Sequence, residues 1–427
     1  MQKKYYPYLI PYIFSIAFFI VINIYNSGEI SLNYDFLLKI FSPFLFTIFV
    51  FLFYSFIKKN NFLRFALSYG LFFLISIFSY IGLASNINGS HAESTNIVIY
   101  GLSFYSALIA FKIHKNNLKF FDIFIAGNPL LLISGPIAVF FKKINLNFKK
   151  RIFYYFPFVF IGFFFFKVIS APMTYYLNMV SFTEPLTILL FAALFRVFLY
   201  FNFAGISLMI YGIFGIFGRR IPLNFTQPFS SRNVIEFWRS WHASLSLVLK
   251  QLFYIPARIK FNSTYIAVFS VYIASAMWHG MTINFLLWGA FHSIIFVFTS
   301  HLLKTGYVKL PIIIFLFAIP FGDIMFTDTD ISRLTTKLLN FFNPNLYLDV
   351  SISTFFNSVM QTPKYVLAST FIAFIIIFIE FFCINNRLVA KKNYKFLRTN
   401  LALSILLILM ALLISGQGWE YAAYGQR

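Results

Sequence analysis

Three histidines lie in sequence surroundings where an imidazole could do chemistry. His242 is part of FWRSWHASLS, and the longer run SAMWHGMTINFLLWGAFHS contains His279 and ends just after His292. Apolar residues flank His279 on both sides, and an ionisable group at membrane depth is costly enough to indicate a function. A ring in such surroundings is expected to stay neutral and to accept a proton as a general base. The alternative is a histidine that only makes helix contacts.

The other polar residues limit the chemistry further. The remaining histidines, His91, His114 and His301, lie in or beside loops, where a solvated role is expected. The histidines also lack neighbouring carboxylates at metal-ligand spacing, so we predict no metal site. Arg196 falls within an apolar stretch and could contact an anion there.

The chain around these residues has the composition of a membrane protein. Its 427 residues are 60% hydrophobic, 22% aromatic and 11% charged, with a mean hydropathy of +0.80. Soluble domains carry about 25% charged residues, so a water-soluble protein is excluded. Stretches near the length needed to cross a bilayer, about 20 residues, occur at 8–25, 38–57, 65–84, 96–111, 152–171, 185–201, 204–218, 264–280, 283–303, 309–326, 365–384 and 399–415.

Because 185–201 and 204–218 adjoin, we predict that they form one crossing, which gives about eleven spans. The predicted fold is therefore an all-α, polytopic membrane protein with a single integral domain over residues 1–427.

The charges indicate an orientation in that membrane. The 34 Lys and Arg residues against 12 Asp and Glu give a net charge of +22, which in a soluble protein would suggest nucleic acid. Basic loops such as 142–151 alternate with acidic ones, including the loop assigned to Asp323, as the positive-inside rule requires. We therefore predict a multi-pass protein of the cell membrane with its N-terminus cytoplasmic and its C-terminus extracytoplasmic. Anionic lipid is the expected partner of the basic face, and no nucleic acid is expected.

Two segments depart from this alternation. Residues 120–141 are apolar with basic loops on both sides, and Gly127-Asn128-Pro129 and Ser134-Gly135-Pro136 supply turns. This pattern predicts a re-entrant hairpin lining a cavity, because irregular backbone at membrane depth needs such a setting; a kinked ordinary span is the alternative.

Residues 221–260 form the second such segment. Ser230 or Ser231 is a candidate N-cap, and apolar residues recur every three or four positions beyond it. The pattern predicts one amphipathic helix lying in the membrane interface, with a plain anchor as the alternative. Its apolar face carries Ile235, Trp238, Trp241, Leu245 and Val248.

Several runs together carry a family resemblance. In chain order these runs are SGPI at 134–137, LYFNFAGISLMIYGIFG at 199–215, NFTQPFSSRNVIEFWRSWHASLS, the Trp278-His279-Gly280 triplet and FLLWGAFHS. They resemble the membrane-bound O-acyltransferase superfamily, in the bacterial branch that contains the alginate O-acetylation membrane protein and the D-alanyl transfer protein of teichoic acid modification. The resemblance covers roughly 100–303, with peripheral spans at 1–95 and 304–427. It implies transmembrane, re-entrant and interfacial helices around a central cavity.

The resemblance also implies residue roles. His279 would be the base that activates an acceptor hydroxyl for attack on a thioester, and His242 would hold the acceptor or polarise the carbonyl group. The implied substrate-binding residues are Arg239, Asn224, Trp238 and Trp278.

The expected donor is a cytoplasmic acyl thioester, acetyl-CoA or an acyl carrier protein, with no bound cofactor. The expected acceptor is an extracytoplasmic cell-envelope polysaccharide, reached directly or through a periplasmic or extracellular acyltransferase partner. Acetyl transfer is the leading hypothesis. D-alanyl transfer from a carrier-protein thioester to a teichoic-acid-type polymer is the alternative within the enzyme class. A transporter or flippase for a lipid-linked saccharide is the alternative of another class, although the internal repeats common in transporters are not evident.

Overall fold

The computed structural model describes residues 9–17, scattered positions between 20 and 131, and 142–383 except 281, 308 and 348. Residues 9–17 are helical, within the span predicted at 8–25. The re-entrant hairpin predicted at 120–141 and the spans predicted at 38–57, 65–84, 96–111 and 399–415 lie wholly or largely outside the described residues.

Two long helical segments form the centre of the described part. Helix α1 (Phe148–Phe163) continues through a π-helical stretch (Phe164–Ser170), a short α2 (Ala171–Met173) and a 3-10 helix (Thr174–Ser181). Helix α3 (Pro185–Ile216) packs along it and is continuous over 32 residues. The prediction that 185–201 and 204–218 form one crossing is therefore confirmed.

Glycines allow α1 and α3 to approach closely. A Cβ atom at Gly205 would lie 2.7 Å from the backbone nitrogen of Phe166, and one at Gly162 would overlap the Gly205 carbonyl oxygen. Small residues at such crossings let helix backbones touch in membranes. Two-residue strands, β1 (Lys142–Lys143) and β2 (Arg219–Arg220), pair antiparallel and tie the start of α1 to the end of α3.

The remaining elements follow in chain order. After a 3-10 turn at Pro228–Ser230 come α4 (Val234–Ser240), α5 (Ala243–Leu249), a π-helical turn (Lys250–Tyr254), α6 (Ile255–Phe261), α7 (Thr264–His279), α8 (Ile283–Lys304), α9 (Lys309–Thr327), α10 (Ile331–Phe341), a 3-10 turn (Pro344–Tyr347), α11 (Asp349–Met360) and α12 (Lys364–Cys383).

Within the described residues, 5 helical segments are long and apolar enough to cross a membrane. Helix α7 has 16 residues, fewer than the roughly 20 that a straight span needs. The protein is thus helical and multi-pass, and the total of about eleven spans remains a prediction. The 5 segments are Phe148–Ser181, Pro185–Ile216, Ile283–Lys304, Lys309–Thr327 and Lys364–Phe381.

The single amphipathic helix predicted within 221–260 is wrong. The helix is interrupted at Trp241, which is extended, and at His242, which has left-handed backbone angles (φ 43°, ψ 56°). Asn233, rather than either serine, caps α4 by accepting a hydrogen bond from the Glu236 amide at 2.9 Å. The break is stable because the Ala243 amide donates to the Asn224 carbonyl oxygen at 2.8 Å, outside any helix. Trp241 is consequently buried in the protein.

The assignment of Asp323 to an extracytoplasmic loop is also wrong. Asp323 lies within α9 and is completely buried. Its carboxylate accepts hydrogen bonds from Nε of Arg196, at 2.7 Å, and from Nη2 of the same residue. A buried carboxylate is tolerated when a guanidinium partner satisfies it, so a span can contain this charge.

Candidate active site

A cavity of about 550 Å³ lies where the break between α4 and α5 faces α3, α7, α8 and α9. Aromatic and aliphatic side chains form most of its wall, with a small number of polar groups among them, which is the usual make-up of a ligand site. The residues that line it are Arg196, Leu199, Ile235, Trp238, Arg239, Trp241, His242, Leu245, Ser246, Leu249, Lys250, Tyr254, Thr264, Val268, Val271, Tyr272, Ser275, His279, Trp288, Phe296, Ser300 and Phe326.

His279 is the last residue of α7 and reaches this cavity half-buried. Its ring centroid lies 4.8 Å from that of Phe326 and 5.4 Å from that of Trp288, both in edge-to-face geometry. Phe285 stacks on it at 5.9 Å. Gly280 makes this stacking possible, because a Cβ atom there would lie 2.7 Å from the Phe285 ring. The surrounding rings fix the orientation of the imidazole at the cavity wall.

His242 occupies the N-cap of α5, almost fully buried. Its Nδ1 accepts a hydrogen bond from the Leu245 amide at 3.4 Å, so the neutral ring carries its proton on Nε2. Burial lowers the pKa of His242 to about 4, against a weaker opposing effect of the backbone hydrogen bond. His242 is therefore neutral at physiological pH, and its Nε2–H can donate to a substrate oxygen.

The other four predicted residues divide into two pairs. Trp238 and Arg239, on α4, line the cavity together with the two histidines. Asn224 and Trp278 do not line it. Asn224 is buried and its Oδ1 accepts a hydrogen bond from the Ser244 hydroxyl at 2.5 Å, so it positions the start of α5. Trp278 packs its ring 4.7 Å from that of His279 and 6.4 Å from that of His242. These two residues support the site from behind.

The charges at the cavity are positive. Arg196, Arg239 and Lys250 contribute to its lining, and no carboxylate does so among the described residues. Arg239 and Lys250 are exposed, whereas Arg196 is buried and paired with Asp323. This electrostatic environment favours a ligand that carries negative charge or electron-rich oxygens.

The cavity is also lined by residues that the sequence did not indicate. Tyr272 lies two helical turns before His279, so its place on the same face of α7 could have been inferred from helix periodicity. Lys250 is the first residue of a π-helical turn and Phe326 comes from a distant helix, and no local pattern indicates either. His292 is completely buried behind the wall, with its ring 5.0 Å from that of Trp238 and 5.1 Å from that of Trp288.

Comparisons with known proteins show what part of the chain resembles a known family. Residues 134–306 match the family model described as MBOAT, membrane-bound O-acyltransferase family. The chain is 38% identical over 99 residues to a peptidoglycan O-acetyltransferase of Helicobacter pylori, covering 22% of this chain and 19% of that protein. It is 40% identical over 97 residues to a probable alginate O-acetylase of Pseudomonas fluorescens, covering 22% and 20%.

A teichoic acid D-alanyltransferase of Bacillus subtilis is 28% identical over 153 residues, covering 32% of this chain and 38% of that protein. The matched segments thus span about a fifth to two fifths of the length of these relatives. Every cavity-lining residue except Phe326 falls within the segment that matches the family model. Over residues 134–306, the chain is therefore similar to the membrane-bound O-acyltransferase family.

Proposed function

We propose that this protein transfers an acetyl group from a cytoplasmic thioester to a hydroxyl of an extracytoplasmic cell-envelope polysaccharide or of a relay protein. The observation that carries the proposal is the presence of His279 and His242 in one cavity within the family-matched segment. The names of the relatives, two of them O-acetylating enzymes, support the same class of reaction.

The two histidines would have different roles in acetyl transfer. An acceptor hydroxyl is a weak nucleophile at neutral pH, so His279 accepts its proton while the oxygen attacks the thioester carbonyl carbon. The carbon–sulfur bond then breaks, and the departing thiolate takes the proton from His279. His242, with Nδ1 occupied by the Leu245 amide, contributes its Nε2–H to hold an oxygen of the acceptor or of the thioester.

The charges of the cavity favour acetyl over D-alanyl transfer. A D-alanyl group carries an ammonium, which needs acceptors or a carboxylate where water is excluded. The described lining offers three cationic side chains and no carboxylate. An acetyl group is uncharged and small, and the aromatic wall suits it. Arg239 and Lys250, exposed at the cavity, would attract a phosphate of the donor.

Deletion of the gene, followed by mass analysis of the envelope polymers, tests the proposal. We expect loss of acetate esters and their return when the wild-type gene is supplied. Loss of D-alanine esters instead would identify the alternative transfer. Undiminished esters together with accumulated lipid-linked saccharide would contradict an acyltransferase and favour a transporter.

A further inference from the structure

Arg196 is the one charged residue of the membrane helix α3, and it lines the cavity although it is almost fully buried. Ionisable residues at membrane depth are expensive, and they are found where they bind, relay or stabilise something. The ion pair with Asp323 explains how the charge is tolerated. It does not explain why the charge lies at the cavity, since an apolar pair of similar volume would pack as well.

The hydrogen bonds of Arg196 leave one edge of its guanidinium available. Nε and Nη2 donate to the two carboxylate oxygens of Asp323, a side-on arrangement. The central carbon lies 4.7 Å from the ring centroid of Trp241, which fixes the plane of the group. Guanidinium has five N–H donors, and within the described part of the chain the two on Nη1 have no acceptor. They are rigidly held donors at the wall of the cavity.

Aromatic packing connects the helix that carries Arg196 with His279. Phe195, the residue before Arg196, contacts the Phe326 ring at 6.4 Å between centroids. Phe326 in turn contacts the His279 ring at 4.8 Å. Asp323 lies one helical turn before Phe326 on α9. Arg196, on α3, and His279, at the end of α7, both line the same cavity.

We propose that Arg196 is a catalytic residue whose Nη1 group donates hydrogen bonds to the thioester carbonyl oxygen; the inference rests on the proposed function. As the acceptor oxygen bonds to the carbonyl carbon, the π electrons move to the carbonyl oxygen and His279 takes the hydroxyl proton. Arg196 stabilises the resulting oxyanion. The carbonyl re-forms as the carbon–sulfur bond breaks, and the thiolate takes the proton from His279. Asp323 keeps the guanidinium in place, so no reorganisation is needed as charge develops.

If the ion pair between Arg196 and Asp323 had only a structural role, removing both charges together would leave the rate of acetyl transfer unchanged. A double variant therefore separates a structural role from a catalytic one. Arg196→Met alone would leave Asp323 buried without a partner and would destabilise the protein. Arg196→Met with Asp323→Leu removes both charges and roughly keeps the volume. We expect this double variant to reach the wild-type membrane level and melting temperature in detergent. The rate at which cells incorporate labelled acetate into the envelope polymer should fall about 10²- to 10³-fold, as for loss of an oxyanion donor.

A wild-type incorporation rate in the double variant would overturn the inference. Arg196→Lys provides a second test should the double variant fail to accumulate, because it keeps a cation beside Asp323 but lacks the planar fork. We expect it to fold and to lose at least about tenfold in rate; an unchanged rate would again assign Arg196 to packing.

His279→Ala is measured in parallel. If it retains incorporation, the proposed function fails; if it loses incorporation while both Arg196 variants keep it, only the role of Arg196 fails.

Discussion

Replacing His242 by Asn and by Ala separates its structural task from its chemical one. The backbone of His242 is left-handed (φ 43°) and its Nδ1 caps α5. Asn adopts the left-handed conformation more readily than most residues, and it is a strong N-cap. Ala has no capping atom, which costs about 1 kcal/mol, and it also removes the ring that packs 6.2 Å from Phe225. We expect His242→Asn to be more stable than His242→Ala by about 1 kcal/mol or more, measured by thermal or denaturant unfolding in detergent.

The stability of the wild-type protein should also depend on pH in a way that the stability of His242→Asn does not. Burial lowers the pKa of His242 from 6.5 to about 4, so between these values the unfolded chain binds a proton that the folded protein excludes. The stability contributed by the neutral ring is present above pH 6.5 and is lost as the pH falls towards 4. The slope is about 1.4 kcal/mol per pH unit within that window. His242→Asn should lack this component; an identical loss of stability between pH 7 and pH 5 in wild type and variant would refute the burial of the ring.

Envelope acetylation by the two His242 variants tests whether this residue also has a chemical role. If Nε2–H of His242 contacts the substrate, both variants should show greatly reduced envelope acetylation, although only His242→Ala loses the cap. Wild-type acetylation by His242→Asn would show that His242 does no more than begin α5.

Three further predictions follow from close packing and from charge. Gly322→Ala would bring a Cβ into the buried ring of His292, so we expect a loss of about 1–3 kcal/mol, with a smaller loss when the same change is made in a His292→Ala background. Gly205→Ala should cost a similar amount by forcing α3 away from α1, and thermal unfolding in detergent would detect it. Asp328→Asn breaks a buried ion pair with Lys337, which costs about 3 kcal/mol in denaturant unfolding. Burial opposes ionisation of Asp328, but hydrogen bonds from Arg333 and Lys337 outweigh this effect and lower the pKa of Asp328. The stability that this carboxylate contributes is therefore present above its ordinary pKa of 3.8 and is lost as the pH falls below it.

The long apolar helices were predictable because an apolar run of about 20 residues or more indicates a membrane span by itself. The single crossing over 185–218 is an example, since α3 needs no turn between its two apolar runs. The break at Trp241 and His242 was not predictable, because it depends on Asn224 supplying a carbonyl from outside the helix. Periodicity assumes that every backbone amide finds its partner within the helix.

The site was only partly predictable for the same kind of reason. His279 and His242 could be singled out by type, apolar surroundings and motif. The partnership of Arg196 with Asp323 joins residues of two distant helices, and charge sorting along the sequence therefore placed Asp323 in a loop. Asn224 and Trp278 belong to the same motifs as the lining residues, yet they act behind the wall. A motif identifies a neighbourhood, whereas the direction of each side chain depends on the packing of the helices.

The role of His279 as the base is the central claim, and one complementation experiment tests it most directly. A deletion strain would receive the wild-type gene, His279→Ala, or His301→Ala, an exposed histidine near the end of α8 that serves as a matched control. Membrane levels and melting temperatures of the three proteins would be compared in parallel with acetate esters on the envelope polymer. We predict that His279→Ala accumulates normally but abolishes acetylation, while His301→Ala restores it. Wild-type acetylation by a normally accumulated His279→Ala protein would contradict the assignment of this histidine as the base.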